Sequence, residues 1–99
     1  MQDFEVTRGQ EVTVTVTADG NPLPTCIWYH NDKPIQVQPD RVFIIDEGPT
    51  HTLKILNAEL NDEGQYKAVI ENSMGKTELI SQVTVMGKRI FANEIVRIY

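Results

Sequence analysis

One cysteine and two histidines are the residues of this chain whose chemistry would suit a nucleophile and its base. Cys26 and His30 share one face of a predicted strand, and His51 lies in another. Four residues of strand span about 13 Å, far beyond the contact of about 3 Å that a nucleophile makes with its base. We therefore expect Cys26 to be a core side chain that behaves as a small hydrophobe, and we predict no enzyme activity.

Metal and phosphate sites are not predicted either. Zinc sites usually take closely spaced pairs of ligands, and in a two-sheet fold His51 would lie in the sheet opposite Cys26 and His30. Asp62 and Glu63 lack the spacing of a calcium loop and are expected in a solvated bend. No glycine-rich phosphate loop occurs. The sequence therefore predicts neither a metal nor another cofactor.

Charge and composition exclude two further classes of function. The 99 residues carry a net charge of −5 at pH 7, whereas nucleic-acid binding needs clustered Lys and Arg. No apolar run approaches the roughly 18 residues of a membrane-spanning helix. We predict binding to neither nucleic acid nor membrane. With 40% apolar and 23% charged residues, the chain is typical of one globular domain.

The cellular compartment is predicted from cysteine usage. A single cysteine forms no internal disulfide, whereas small secreted domains usually carry several. The chain has no Asn-X-Ser/Thr glycosylation sequon, and residues 1–5 do not resemble a signal peptide. These features favour a reducing compartment, so we expect a cytoplasmic protein.

Alternating residues predict an all-β fold. Valine and threonine alternate over residues 11–18, which is typical of a strand with one buried face. Gly75 is expected to close a hairpin with a positive φ. No helical period occurs in residues 1–86, so the pattern predicts a sandwich of about seven strands. They are predicted near residues 4–6, 11–18, 25–30, 41–46, 51–56, 66–71 and 77–85.

Three groups of residues occur in order along the chain. The first is the run of residues 20–24 (Gly-Asn-Pro-Leu-Pro), followed by Trp28-Tyr29 and Asp32-Lys33-Pro34. The second is Arg41 with residues 50–55; the third is residues 62–66 (Asp-Glu-Gly-Gln-Tyr) with Ala68, Asn72 and Gly75. Together they resemble the I-set immunoglobulin domains of giant muscle and cytoskeletal proteins: titin, twitchin, obscurin and the myosin-binding proteins. The resemblance spans residues 4–86 and implies a Greek-key β-sandwich over residues 1–86.

The resemblance also implies roles for individual residues. Trp28 would fill the centre between the sheets, and Tyr66 would form the tyrosine corner beside an Asp62–Arg41 pair. Val16 and Ala68 stand where the family has its two disulfide cysteines, so apolar packing must replace a cross-link typically worth about 2–4 kcal/mol. The expected structural core is Val16, Trp28, Leu53, Tyr66 and Ala68.

Two regions could bind a protein. If Trp28 points inward, alternation places an apolar patch on the outer face of the same sheet; scattered surface hydrophobes are the alternative. The predicted patch is Ile27, Tyr29, Val69 and Ile80. The tail, residues 87–99, is basic and rich in apolar residues. It is either a linker to a following domain or a docking segment that self-associates or folds back, through residues Ile90, Phe91, Ile95 and Ile98.

The predicted function is that of a non-catalytic structural and docking module of a sarcomeric or cytoskeletal giant protein. Such a module bears load, binds another protein, or contacts neighbouring domains of its own chain. Two alternatives stay open, namely an extracellular adhesion or receptor domain and a regulatory domain flanking a kinase.

Overall fold

The computed structural model describes residues 3–86. The predicted boundary between a domain of residues 1–86 and a tail of residues 87–99 stays a prediction, because the tail lies outside the described residues. Eight strands and one turn of 3₁₀ helix follow one another along the chain. They are β1 Phe4–Thr7, β2 Val12–Thr17, β3 Thr25–His30, β4 Lys33–Pro34, β5 Val42–Glu47, β6 Thr50–Ile55, the 3₁₀ helix Leu60–Asp62, β7 Gly64–Asn72 and β8 Gly75–Met86.

The strands form two sheets. The larger sheet has the order β1-β8-β7-β3-β4, and the smaller has the order β2-β6-β5. Neighbouring strands are antiparallel except β1 and β8, which run parallel with Val6 beside Val85. The predicted all-β sandwich is therefore confirmed.

The core lies between the sheets because each strand alternates apolar inward and polar outward residues. On β2 the valines are buried and the threonines exposed. Trp28 is 1% exposed and lies beside Ala68 on the neighbouring strand. Val16, Leu53 and Tyr66 belong to the same buried cluster. Burying each such large apolar side chain is worth roughly 1.5–3 kcal/mol, and this packing replaces the disulfide, since Cys26 is free.

Three local features differ from the prediction. The strands number eight rather than about seven, because the two residues Lys33–Pro34 pair with β3. Residues 60–62 form a helical turn that is too short to show a period. Gly75 does not have a positive φ; the glycines that do are Gly9, Gly48 and Gly64. In the β7–β8 hairpin the side chain of Asn72 instead accepts the amide hydrogens of Met74 and Gly75, which orders the turn without a left-handed residue.

The β3–β4 turn is fixed by backbone conformation and by contact with β7. Its central residues Asn31 and Asp32 both have positive φ, as a type I′ hairpin requires. The Asn31 side chain accepts the amide hydrogen of Gln65 at 2.9 Å. It lies directly over Gly64, whose φ is +138° and where a Cβ would overlap the Asn31 amide group. Glycine is therefore required at position 64.

Candidate functional site

One end of the sandwich, the Tyr66 end, contains a network of buried polar groups. The Tyr66 hydroxyl donates to the backbone carbonyl of Asp62, which closes the tyrosine corner. The Asp62 carboxylate accepts hydrogen bonds from Arg41 and from the amide of Glu59. The ring of His30 stacks on Tyr66 with centroids 4.3 Å apart. Asp62 is buried, so the expectation of a fully solvated acidic bend is wrong for this residue.

Burial also changes the acidity of the tyrosine. It raises the pKa of the Tyr66 hydroxyl well above its ordinary value of 10.0, and the nearby Asp62 charge adds to the shift. The hydroxyl therefore stays protonated and acts as a hydrogen-bond donor at physiological pH. Its role is to hold the chain bend in place.

The opposite end, the His51 end, holds Cys26, Asp46 and His51. His51 is buried on β6 and its Nδ1 donates to Asp46 Oδ1 at 2.6 Å. No hydrogen-bond partner reaches its Nε2 within residues 3–86. Burial, with a smaller contribution from Asp46, raises the pKa of the Cys26 thiol from 9.0 to about 11. A thiol with this pKa is protonated at neutral pH and is a poor nucleophile.

This geometry does not supply catalytic chemistry. Cys26 and His30 lie at the two ends of β3, and His30 Nε2 is bonded to the carbonyl of Glu63 at 2.9 Å. Over residues 3–86, His, Cys, Asp and Glu form no group of three that could hold a metal ion. A cleft of about 230 Å³ at the Tyr66 end is lined in part by Lys33, Ile35 and Arg41.

The four residues of the predicted patch meet on the outer face of the larger sheet. Ile27 lies opposite Val69 across the β3–β7 pair. Tyr29 lies one row further along, in line with Lys67 and then Ile80. Ile27 and Ile80 are 51% and 49% exposed, while Tyr29 and Val69 are half-buried. The four residues therefore share one face in two neighbouring rows, and their role in binding stays a prediction.

Charged residues interrupt this patch, which the pattern of hydrophobic residues did not indicate. The Lys67 ammonium lies 5.3 Å from the centre of the Tyr29 ring and 3.3 Å from Asp32 Oδ1. Glu78 is directly opposite Val69. The register of β7 with its neighbours, rather than hydropathy, is the signal that would have found them.

Two further results concern the tail and membranes. The predicted binding residues Ile90, Phe91, Ile95 and Ile98 lie outside the described residues. No helix among residues 3–86 is long and apolar enough to cross a bilayer.

The sequence profile of the immunoglobulin I-set domain family matches residues 1–85. This chain belongs to that family. The resemblance carried by the three groups of residues, in their order along the chain, is therefore confirmed. Immunoglobulin domains of this kind are generally non-catalytic and mediate protein–protein interactions.

Known relatives cover different kinds of protein. This I-set domain is 38% identical over 78 residues to the probable oxidoreductase PXDNL of Homo sapiens, covering 78% of this chain and 5% of that protein. It is 33% identical over 86 residues to the titin homolog of Caenorhabditis elegans, covering 87% of this chain and, to the nearest percent, 0% of that protein. It spans no more than 7% of the length of the first curated relatives it matches.

Solved structures show the same architecture. The structure of titin M4 matches with a TM-score of 0.81 at 26% identity, covering 87% of this chain and 88% of that one. Immunoglobulin domains of this type occur in muscle giant proteins and also in adhesion proteins.

Proposed function

We propose that this I-set domain is a structural and docking module of a sarcomeric or cytoskeletal giant protein in the cytoplasm. Its similarity to the titin homolog and to titin M4 supports this assignment. The free Cys26 and the apolar pair Val16 and Ala68 give a sandwich whose stability needs no oxidising compartment.

The parallel pairing of β1 with β8 is the observation that carries the load-bearing part of the proposal. Phe4, Glu5, Val6 and Thr7 pair in register with residues 83–86 of β8. The Arg8 amide adds a further hydrogen bond, to the Met86 carbonyl at 2.7 Å. Tension that enters at β1 and leaves at β8 shears these parallel strands, so the bonds must break together rather than one after another. Cooperative rupture resists force better than sequential rupture.

Single-molecule stretching of a polyprotein that contains this domain tests the load-bearing role. We expect one cooperative unfolding peak for each domain. The residues of β1 whose amides bond to β8 alternate along the strand. One of the two adjacent substitutions Glu5→Pro and Val6→Pro therefore removes a ladder hydrogen bond, and that variant should unfold at a lower force. Thr25→Ala on β3, outside the ladder, is the control. Unfolding of the unaltered domain at negligible force would refute the proposal.

The docking role rests on the patch of Ile27, Tyr29, Val69 and Ile80. Its two most exposed members are isoleucines, which offer apolar area to a partner, and Lys67 and Glu78 lie within it to select complementary charge. The proposed partners are a sarcomeric or cytoskeletal protein, or domains adjacent to this one in the same polypeptide.

A second candidate is an adhesion or receptor protein. It is favoured by the 36% identity to contactin-5 of Gallus gallus over 80 residues, which exceeds the 33% identity to the titin homolog. Sequencing the full-length transcript distinguishes the two candidates. Flanking immunoglobulin or fibronectin-like repeats without a leader support the giant-protein assignment, whereas a signal peptide with further disulfide-bonded domains supports the adhesion protein.

A further inference from the structure

The outer face of the larger sheet is acidic beside the end of β8. Asp3, Glu5, Gln82 and Thr84 line a groove there. Asp3 Oδ1 accepts the amide hydrogen of Gln82 at 2.8 Å, and within residues 3–86 neither carboxylate of the groove belongs to an ion pair. The groove therefore attracts a basic segment.

The patch of Ile27, Tyr29, Val69 and Ile80 follows this groove on the same face. Ile80 and Gln82 are two residues apart on β8, so alternation points both side chains outward. From Ile80 the patch crosses β7 to reach Ile27 and Tyr29 on β3. Moving back along β8 from its end, the face is therefore first acidic and then apolar.

The charge on this face is negative overall. The Lys67 ammonium, one of the two cationic groups in the paired strands of the face, already pairs with Asp32. A positively charged segment would balance the remaining carboxylates. The charged side chains in the paired rows of the face are Glu5, Glu71, Glu78, Lys67 and Lys76.

The tail, residues 87–99, carries the complementary residues in the same order. The basic pair Lys88-Arg89 begins two residues after Met86, and apolar residues follow it. Three basic residues and one acidic residue give the tail a net charge of +2. A tail that turns back after Met86 meets the groove with its basic pair and the patch with its apolar residues. These apolar residues are Ile90, Phe91, Ile95, Val96, Ile98 and Tyr99.

The tail is also long enough to reach the patch. Ile80 lies six residues before Met86, about 20 Å along the strand. An extended chain covers at most about 3.3–3.6 Å per residue, so Ile95, nine residues beyond Met86, reaches about 30 Å. Gly87 is a residue type that permits a tight reversal. The basic pair, two and three residues beyond Met86, stays within reach of the groove.

We propose that the tail folds back over the outer face of the larger sheet, with Lys88 and Arg89 at the groove and its isoleucines on the patch. This arrangement covers the patch with a segment of its own chain. If the patch is a docking surface, a partner binds only to the fraction of molecules in which the tail is displaced. That competition rests on the proposed function, whereas the contact between tail and patch does not.

NMR of the full chain tests the contact directly. With the isoleucine methyl groups labelled, we expect nuclear Overhauser contacts between the isoleucines of the tail and both Ile27 and Ile80. These contacts should not depend on protein concentration, and they should be absent between differently labelled copies in a mixed sample.

Trypsin measures the fraction of molecules whose tail is undocked. Cleavage after Arg97 follows that fraction when docking is fast relative to cleavage. Ile80→Ser removes apolar area from the patch and should speed this cleavage at least about threefold. The matched control is Ile45→Ser on β5 of the smaller sheet, where the isoleucine is 40% exposed; it should leave the rate unchanged.

A charge exchange tests the contact at the groove. Glu5→Arg sets like charge against the basic pair and should speed cleavage after Arg97 at least about threefold. Adding Arg89→Glu restores a pair of opposite charges and should return the rate towards that of the unaltered chain. The control is Glu47→Arg on β5, which changes the net charge equally on the other sheet.

Three results would overturn the proposal. The first is a tail without contacts to Ile27 or Ile80 whose cleavage no variant changes, as expected of a linker; the docking role of the patch would then stand, since an uncovered patch is open to a partner. The second is contact of the tail with the exposed Leu60 at the Tyr66 end instead of the patch. The third is contact that occurs only between copies. Tail contacts in a chain whose patch binds no other protein would support this contact and refute the docking role alone.

Discussion

The two ends of the sandwich both bury polar side chains, but these side chains make more hydrogen bonds within the protein at the Tyr66 end than at the His51 end. At the Tyr66 end, Asp62 receives hydrogen bonds from Arg41 and Glu59, and the Tyr66 hydroxyl is bonded in turn to the Asp62 backbone. At the His51 end, His51 bonds through Nδ1 to an Asp46 side chain that is 55% exposed, and its Nε2 has no partner within residues 3–86. A buried polar atom without a partner costs roughly 1–3 kcal/mol.

The difference indicates which end depends on specific side chains. Arg41 Nε, like His51 Nε2, has no hydrogen-bond partner within residues 3–86, but a network joined by several hydrogen bonds loses several interactions when one member is removed. A histidine that bonds to one exposed carboxylate and leaves its other nitrogen unsatisfied contributes little net stability. We therefore expect the Tyr66 end to be sensitive to substitution and the His51 end to tolerate it.

The largest expected effect is that of Asp62→Ala at the Tyr66 end. It leaves the Arg41 guanidinium without its carboxylate and the Glu59 amide without its cap, and should lower the free energy of unfolding by about 3 kcal/mol. Urea denaturation measures the change. The control is Asp32→Asn, which removes the charge paired with Lys67 and keeps a residue that tolerates the positive φ of this position; the side chain is 76% exposed, and the change should cost less than about 1 kcal/mol. Equal losses in the two variants would contradict the comparison.

Gly64→Ala should have the second largest effect. The residue has a φ of +138°, and a methyl group would overlap the side chain of Asn31, so we expect a loss of about 2 kcal/mol. Gly75→Ala is the matched control, because a Cβ there meets no atom within 4 Å and φ is not in the left-handed range. If the control lost as much stability as Gly64→Ala, the contact with Asn31 would not be the cause.

A smaller effect should appear at alkaline pH at the His51 end. The Cys26 thiol has a pKa of about 11 when folded and an ordinary value of 9.0. As the pH rises, the unfolded chain therefore loses the thiol proton before the folded chain does. The contribution of Cys26 to the free energy of unfolding is fully present below pH 9 and declines as pH rises from 9 towards 11. Comparing Cys26→Ala with the unaltered protein by urea denaturation isolates this slope, since the rise in Tyr66 pKa is common to both. A stability difference that does not change across this range would exclude the effect.

The smallest expected effect is that of His51→Leu. The substitution removes the bond to Asp46 but also removes the unsatisfied Nε2, so we expect a change within about 1 kcal/mol in either direction. Thermal unfolding of this variant beside Asp62→Ala gives the direct contrast between the ends. A loss at His51 as large as that at Asp62 would show that the two ends are equally specific.

The sequence predicts most of the fold because its strongest signals are periodic or local. Alternation in residues 11–18 gives β2 with its buried face, and the run of residues 62–66 marks the tyrosine corner through its resemblance to a family. The outward patch follows from the same alternation once Trp28 is placed inward, and its role as an interface stays a prediction.

Other features could not be predicted for one of two reasons. Some depend on contacts between residues far apart in sequence, and others involve too few residues to show a periodic pattern. The strand Lys33–Pro34 has two residues and contains proline, which usually argues against a strand. The burial of His51 depends on its cross-strand neighbours Val16 and Asp46. The positive φ assigned to Gly75 was wrong because the Asn72 side chain, rather than a left-handed glycine, satisfies that turn.

The parallel register of β1 and β8 has a consequence for a domain joined in series with others. Phe4 lies beside Val83 and Thr7 beside Met86, so the chain arrives and departs along the same narrow strip of the molecule. In a stretched filament, tension would run through this strip alone. The patch of Ile27, Tyr29, Val69 and Ile80 and the network at the Tyr66 end lie outside the paired residues of β1 and β8. Both would therefore keep their shape until the hydrogen bonds of that strip break.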